Sequence, residues 1–134
     1  MVKIKKDIAN FIEKNPGLIA TSAPSGTPNV VPKGSLKVLD EENLVYADLF
    51  GGKTTKNIKN NPTVAISVVD FEGMKGYQLK GKASLIDSGA VYEKIVKTIE
   101  KLPMDLPKPR YAVKIQVKEI YDLTPGPNAG KKIQ

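Results

Sequence analysis

The feature of this sequence that most constrains its fold is a succession of short apolar segments divided by Gly, Pro, Asn and Asp. Residues 63–70 form the most apolar of these segments, which predicts a central strand. The turn residues between neighbouring segments leave little room for crossover helices, which predicts antiparallel pairing. The predicted strands are residues 18–23, 29–39, 44–48, 63–70, 77–86 and 111–123, with a bend or break in the second near Pro32 and Gly34.

Three segments have the apolar spacing of helices. Residues 4–15 carry Ile4, Ile8, Phe11 and Ile12 at helical spacing, which predicts an amphipathic helix packed against the sheet. A short helix should follow the two glycines at 51 and 52 and end before Pro62. A third is predicted over residues 89–101, with side-chain caps from Asp87 and Ser88. The chain is therefore predicted to be one mainly β domain over residues 1–134, an antiparallel barrel of six or seven strands with peripheral helices.

Composition excludes several classes of chemistry. Neither cysteine nor histidine occurs among the 134 residues, so disulfides, thiolate nucleophiles, Ser/His/Asp hydrolysis and typical zinc sites are excluded. No metal site is predicted and no catalytic side chain can be named, so any chemistry should come from a bound cofactor. No segment approaches the ~20 apolar residues of a membrane span. The start of the chain is too polar for a secretory leader, and a cytoplasmic protein is expected.

The net charge of +7 raises an alternative function, a non-enzymatic module that binds nucleic acid through its basic surface. Twenty of the twenty-one basic residues are lysine, whereas base recognition favours arginine. The lysines are also scattered, as at Lys94, Lys97 and Lys101. A solvated lysine-rich surface is the favoured interpretation, and the nucleic-acid module is the runner-up.

Residues 47–60 have the composition of a phosphate-binding turn. Two glycines precede Lys53, Thr54 and Thr55 where a helix should begin, so a charge, hydroxyls and helix amides would face an anion. The alternative is a Gly-rich turn with a Thr-capped surface helix. Residues 47–54 also satisfy a loose P-loop pattern, but the short helix and the absence of strand–helix alternation argue against an NTPase.

Several motifs together resemble the FMN-binding split barrel family, which is related to pyridoxamine 5'-phosphate oxidase. They are LeuIleAlaThrSer at 18–22, GlyThrPro at 26–28, ProLysGlySer at 32–35, ValTyrAlaAsp at 45–48, LysThrThrLysAsnIle at 53–58, AsnProThrValAlaIle at 61–66 and LeuLysGlyLysAla at 79–83. The resemblance covers nearly the whole chain and is closer to the small FMN-binding proteins than to the oxidase. It implies a six-stranded split barrel that forms a two-fold dimer with one FMN per subunit near the interface.

The resemblance also implies a division of the site into a phosphate end and a ring end. The phosphate would be held by Lys53, Thr54, Thr55 and Asn57. The ring would lie along two stretches of backbone, formed by Val31, Pro32, Lys33, Gly34, Ala47, Asp48 and Leu49. Lys33 would place positive charge beside the N1/O2 edge of the flavin, where negative charge builds up on reduction. The alternative for Lys33 is an ordinary surface lysine on a strand.

The chain departs from the oxidase pattern in its few arginines and histidines. Family members that bind pyridoxine phosphate use such residues for the second phosphate, and here only Arg110 is available. Vitamin B6 oxidation is therefore not expected, which leaves a flavin reductase, an electron carrier or an oxidoreductase acting on a small molecule or a deazaflavin. The tail at residues 124–132 is expected either to reach across the dimer or to be a frayed terminus.

Overall fold

In the computed structural model, which describes all 134 residues, seven strands form one antiparallel sheet. Each strand pairs with its neighbours antiparallel, in the order β2-β1-β5-β6-β7-β4-β3. The mainly β, antiparallel class predicted from the turn spacing is confirmed. The strands are β1 Gly17–Ser22, β2 Pro28–Pro32, β3 Lys37–Val38, β4 Asn43–Asp48, β5 Thr63–Asp70, β6 Lys75–Ile86 and β7 Tyr111–Asp122.

The two edge strands of the sheet are joined by only four residues, 33–36. Because β2 and β3 stand at opposite ends of the strand order, so short a link requires the sheet to curl until its edges approach each other. The Lys33 N–H donates to the Gly17 oxygen at 3.0 Å, and the Leu36 N–H donates to the Lys33 oxygen at 3.2 Å. The result is a half-barrel that is split between β2 and β3.

One predicted strand, residues 29–39, is two strands in the structure, which is why there are seven strands and not six. Pro32 has no N–H for a ladder, and the turn that begins at Lys33 redirects the chain to the opposite edge of the sheet. The prediction of a bend near Pro32 and Gly34 was right in position. The sequence predicted a break or a bend there, and the structure has a break, so its seven strands agree with the six or seven predicted.

The three helices are α1 Lys6–Lys14, α2 Lys53–Asn60 and α3 Ala90–Glu100. Ile4, Ile8 and Ile12 enter the main core within the curled sheet, together with Leu44 and Tyr46 of β4. The alternate β4 residues Val45 and Ala47 face a second core, which α3 covers with Tyr92, Ile95, Val96 and Ile99. Because both faces of β4 are buried, its end is held rigidly. None of the helices has the length and apolar character needed to cross a membrane.

The helix caps differ from those predicted. The N-cap of α3 is Gly89, at φ 93°, and neither Asp87 nor Ser88 makes a side-chain cap hydrogen bond. The N-cap of α2 is Gly52, at φ 89°, so the Thr-capped helix considered as an alternative for this segment is wrong. Glycine occupies these positions because few other residues adopt this backbone conformation.

The C-terminal tail folds back on its own barrel. The Ile133 N–H donates to the Ile120 oxygen at 2.7 Å, and the Gln134 side-chain amide donates to the Lys3 oxygen at 2.6 Å. Lys132 forms an ion pair with Glu119 at 3.6 Å. The expectation of a frayed terminus is therefore wrong, because these bonds tie the last residues to β7 and to the start of the chain.

Candidate functional site

The start of α2 presents a group of unpaired backbone donors. Gly51 and Gly52 turn the chain at φ 72° and 89°, and the N–H groups of Lys53, Thr54 and Thr55 donate no hydrogen bond within the protein. The helix has no side-chain cap and no acidic residue in its first turn, whereas α3 has Glu93 there. The amides and the helix dipole therefore create a positive potential suited to an anion.

The buried carboxylate of Asp48 holds this turn in place. Its carboxylate accepts hydrogen bonds from the Gly51 N–H at 2.7 Å and from the Thr55 hydroxyl at 2.6 Å. Only 1% of Asp48 is exposed, so both bonds are shielded from water. The side chains of Asp48 and Thr55 are thus engaged with each other and shape the turn.

Thr54 is tied to edge strand β2. The Asn29 side-chain amide donates to the Thr54 hydroxyl oxygen at 3.2 Å. Since that oxygen already accepts a hydrogen bond, the Thr54 proton is free to point to another acceptor. Asn57, in contrast, donates to the Thr21 hydroxyl at 3.0 Å in a buried contact with β1.

Of the four residues predicted for a phosphate, three keep a side-chain donor that the protein does not use. Lys53 is exposed and forms no ion pair, and the Thr54 hydroxyl, in a residue only 4% exposed, donates no hydrogen bond. Thr55 donates its one hydroxyl proton to Asp48, whereas Asn57 uses one of its two amide N–H donors on Thr21. Beside Lys53 lies a cavity of about 360 Å³, lined by Ala23, Pro24, Thr27, Pro28, Asn29, Lys53, Lys56, Asn57 and Asn60.

A larger groove of about 610 Å³ joins most of the residues predicted for the ring. Pro32, Lys33 and Gly34 form one part of its wall, and Ala47 and Leu49 form another. An apolar part of the lining comes from the end of β4, from α3 and from the loop after it, through Phe50, Ile99, Leu102, Met104 and Leu106. Glu13 of α1, Thr98 of α3 and residues 35–37 complete the lining. The two stretches that are distant in sequence therefore share one concave surface.

Two of the predicted ring residues do not line this groove. Val31 pairs with Ile19 of β1, and its side chain packs against the main core. Asp48 is buried beneath the α2 turn.

Lys33 lies in the groove as a half-buried cation. Burial lowers the pKa of Lys33, and the charge of Asp48 acts in the opposite direction. The Lys33 ammonium lies 5.0 Å from the ring centroid of Tyr46, close enough for a cation–π contact. Lys33 follows the end of β2, so it is not the solvated strand lysine considered as an alternative.

Below Lys33, the Tyr46 hydroxyl is buried without a hydrogen-bond partner. Burial raises the pKa of Tyr46, and the negative charge of Asp48 raises it further, so the phenol stays neutral. The Ala47 N–H donates to the Ser35 hydroxyl at 2.9 Å. This bond fixes the loop at residues 33–36 against the end of β4.

Asn29, Ser35 and Phe50 belong to this region and were not predicted from the sequence. Asn29 meets Thr54 across 25 positions and Ser35 meets Ala47 across 12, so no local pattern reveals either contact. Phe50 is 75% exposed although it is aromatic, and it immediately precedes the glycine turn. The one sequence signal for including Phe50 was its position next to Leu49, which was predicted to contact the ring.

Comparison with known proteins gives consistent results. The model of the family described as pyridoxamine 5'-phosphate oxidase matches residues 4–124. A curated relative, the uncharacterized protein MJ0282 of Methanocaldococcus jannaschii, is 41% identical over 136 residues, covering 99% of this chain and 89% of that protein.

Solved structures share the same architecture. HupZ of Group A Streptococcus superposes with a TM-score of 0.85 at 31% identity, covering 95% of this chain and 99% of HupZ. An FMN-binding protein from Syntrophomonas wolfei superposes with a TM-score of 0.76, covering 86% of this chain and 82% of that protein. The latter is 16% identical, so it bears on the fold alone.

Proposed function

Because this chain belongs to the pyridoxamine 5'-phosphate oxidase family, we propose that it binds FMN noncovalently and acts as a flavin-dependent oxidoreductase or electron carrier. The family has a flavin-binding oxidoreductase character in general, and this chain's own residues offer donors for the phosphate of FMN. The observation that carries the proposal is the row of free amides at the start of α2, beside Lys53 and Thr54.

The phosphate of FMN would be held at the start of α2. Three unpaired N–H groups, the Thr54 hydroxyl and the Lys53 ammonium offer donors to a dianion. Asp48 is the nearest acidic group, and its carboxylate is already occupied by Gly51 and Thr55. The donor set therefore suits a phosphate.

The flavin ring would occupy the 610 Å³ groove between residues 32–34 and the end of β4. Strand β2 is an edge strand, so its outward backbone groups have no neighbouring strand, and Pro32 carries no N–H. When bound, the flavin supplies the redox chemistry that a chain without histidine and cysteine lacks. The apolar wall at Leu49 and Phe50 would exclude water from one face of the groove.

Lys33 would bind and tune the ring as a positive charge held in a partly desolvated position. Its contact with Tyr46 and the loop bond between Ser35 and Ala47 restrict where the ammonium lies. A cation held in this way favours negative charge on a neighbouring group more strongly than a solvated lysine would.

The substrate proposed is a small molecule, a deazaflavin or a redox partner, and not a vitamin B6 phosphate. The large groove contains Lys33 and Lys37 as its only cations, neither of them the arginine or histidine used for a second phosphate, and its far wall is apolar. A planar or apolar reactant matches this lining better than a second phosphate ester.

We further propose that two copies of the chain form a two-fold dimer over this groove. Phe50 and Met104, which line the groove, are 75% and 61% exposed. Exposed apolar side chains of this size commonly mark an interface. Light scattering on the purified protein should give twice the mass of one chain, and the mass of one chain would contradict the dimer.

The flavin proposal is tested by equilibrium dialysis of the purified protein against FMN, followed by its visible absorption. The wild-type chain should bind about one FMN per chain, and a Lys53→Ala/Thr54→Ala double variant should bind it at least about tenfold more weakly. Lys118→Ala, which removes an exposed charge on β7, serves as the control. Equal FMN affinity in the wild type and the double variant would contradict the phosphate site.

A further inference from the structure

A second basic cavity lies on the other side of α2 from Asn29. It has a volume of about 440 Å³ and is lined by Gly51, Gly52, Thr55, Lys56, Lys59, Asp87, Arg110 and Tyr111. Lys53, Thr54 and Asn29 do not line it, and Lys56 is the one side chain that it shares with the cavity beside Lys53. The flavin proposal uses none of the charged side chains of this cavity.

The cationic groups of this cavity have no acidic partner within ion-pair distance. The protein has two ion pairs, Lys3–Glu41 and Lys132–Glu119, and neither involves Lys56, Lys59 or Arg110. Asp87 lines the cavity but does not pair with any of the three. Three positive groups therefore face one negative group, a surplus of two charges that a dianion would balance.

Arg110 is seated in this cavity by the glycine turn. A Cβ atom on Gly51 would lie 2.5 Å from Arg110 Nη1, so the guanidinium lies directly against the glycine turn. The Arg110 N–H donates to the Asp48 oxygen at 2.8 Å, which fixes the backbone at the start of β7. The guanidinium therefore lies beside the turn, and the residue itself is exposed.

Arg110 is also the only arginine among twenty-one basic residues. Lysine provides the surface charge everywhere else, so charge alone does not account for arginine at this position. A guanidinium differs from an ammonium in its planar fork of N–H donors, which binds phosphate or carboxylate through two parallel hydrogen bonds. None of these side-chain donors is used within the protein.

The two lysines of the cavity come from one face of α2. Lys56 and Lys59 are three positions apart, which places them on neighbouring turns of the helix. The Lys59 ammonium lies 5.7 Å from the ring centroid of Tyr111 and is oriented by that contact. Arg110 on one side and Lys56 and Lys59 on the other therefore converge on one space.

We propose that the cavity formed by Arg110, Lys56 and Lys59 is a second anion site, which binds the phosphate of a small phosphorylated molecule. The site is separate from the cavity beside Lys53, with which it shares only Lys56. The lining contains one hydrophobic residue, Tyr111, so it offers no apolar surface for a large ring. Its lining gathers three cations around one open cavity of about 440 Å³, unlike the continuous track of cations that a nucleic-acid backbone needs.

The test is a titration of the FMN-saturated protein with inorganic phosphate and, separately, with glycerol phosphate, at constant ionic strength. Amide and arginine side-chain signals would be followed by ¹⁵N NMR. Both titrants should shift the Gly52 amide and the Arg110 Nε–H signal with saturation. If glycerol phosphate binds more tightly, the ligand is a phosphate ester; if inorganic phosphate does, it is the free ion. Either result supports a phosphate site.

Variants assign the binding to this cavity. Arg110→Gln should weaken phosphate binding about tenfold, and Arg110→Lys should recover only part of it, because a lysine restores the charge without the fork. FMN affinity should change less than about twofold in both variants. Lys118→Gln removes the same charge from β7, roughly 23 Å from Tyr111 along the strand, and should leave phosphate binding unchanged. Thermal unfolding of each variant verifies that it is folded.

Three results would overturn the proposal. Phosphate shifts that do not saturate, or that weaken equally in Arg110→Gln and Lys118→Gln, would show only general attraction to a basic surface. A matching loss of FMN affinity in Arg110→Gln would place Arg110 in the flavin site. Tighter binding of a short oligonucleotide than of either phosphate, lost in Arg110→Gln, would identify the cavity as part of a nucleic-acid surface. If FMN does not bind to the wild type, the flavin proposal fails on its own. The same phosphate titration on the Lys53→Gln variant then tests the Arg110 cavity, because the variant lacks the lysine charge at the start of α2.

Discussion

The Asn29 side-chain amide donates a hydrogen bond to the Thr54 hydroxyl at 3.2 Å and so connects edge strand β2 to the start of α2. Because Thr54 accepts this bond, its own proton is directed to another acceptor, which we propose is the flavin phosphate. Asn29→Ala should therefore weaken FMN binding about three- to tenfold, the usual effect of one hydrogen bond. Fluorescence titration of FMN measures the change. Asn10→Ala removes an exposed asparagine of α1 and should have no effect, and equal losses in both variants would contradict the role of Asn29.

Thr55 should be important for stability in a way that Thr54 is not. The Thr55 hydroxyl donates to Asp48 in a buried contact, so Thr55→Val leaves a buried carboxylate with one hydrogen bond fewer. The expected cost is about 1.5–3 kcal/mol in the free energy of unfolding. Denaturant unfolding of the protein without FMN measures it. Thr54→Val should lower the free energy of unfolding less than Thr55→Val does, and it should weaken FMN binding more. The opposite result for the two variants would contradict the roles assigned to the two threonines.

Lys33 should destabilise the protein at neutral pH. Its pKa in the folded state is lowered by burial, so below that pKa the folded chain carries the desolvation cost of a charged lysine. As pH rises from the lowered pKa towards the ordinary value of 10.5, the folded state releases its proton first and this cost disappears. Lys33→Met should thus raise the melting temperature at neutral pH, with a difference from wild type that shrinks in alkaline solution.

The measurement for Lys33 is thermal unfolding across pH without FMN, because bound cofactor would add its own stabilisation. Lys118→Met, an exposed lysine on β7, should show no such pH-dependent gain. A melting temperature that falls at neutral pH in Lys33→Met would mean that the contact with Tyr46 outweighs the burial cost.

Gly52 should be intolerant of any side chain. It adopts φ 89° and ψ −159°, a region that is essentially restricted to glycine. Gly52→Ala should cost about 1–3 kcal/mol in stability and weaken FMN binding, because the strained turn displaces the amides that follow it. Gly34→Ala is the matched control for stability: Gly34 does not have a positive φ, and a Cβ there meets no atom within 4 Å. Equal stability of the two variants would contradict this account of the turn.

Much of the fold followed from local sequence patterns. The antiparallel class, the three helices and all strands but one were predictable, because alternation and turn residues act over short distances. The pairing of the two halves of residues 29–39 was not, since β2 and β3 belong to opposite edges of the sheet. A proline and a glycine mark the break, but nothing in the segment says where each half pairs.

The site was predictable in position and less so in the orientation of its side chains. Thr54 and Thr55 are adjacent and chemically identical, yet one contacts Asn29 and the other contacts Asp48. Only the direction of α2 relative to β2 and β4 distinguishes them. The same holds for Arg110, which reaches the α2 turn from the start of β7, 59 positions after Gly51 in the sequence.

The most direct test of the central claim compares FMN with riboflavin, which lacks the phosphate, in wild type and in the Lys53→Gln/Thr54→Val variant. The wild type should prefer FMN by about 100-fold or more, because the phosphate makes several charge-assisted hydrogen bonds at the start of α2. In the variant this preference should shrink at least about tenfold while the affinity for riboflavin stays the same. A preference for FMN that is unchanged in the variant, or absent in the wild type, would contradict the assignment.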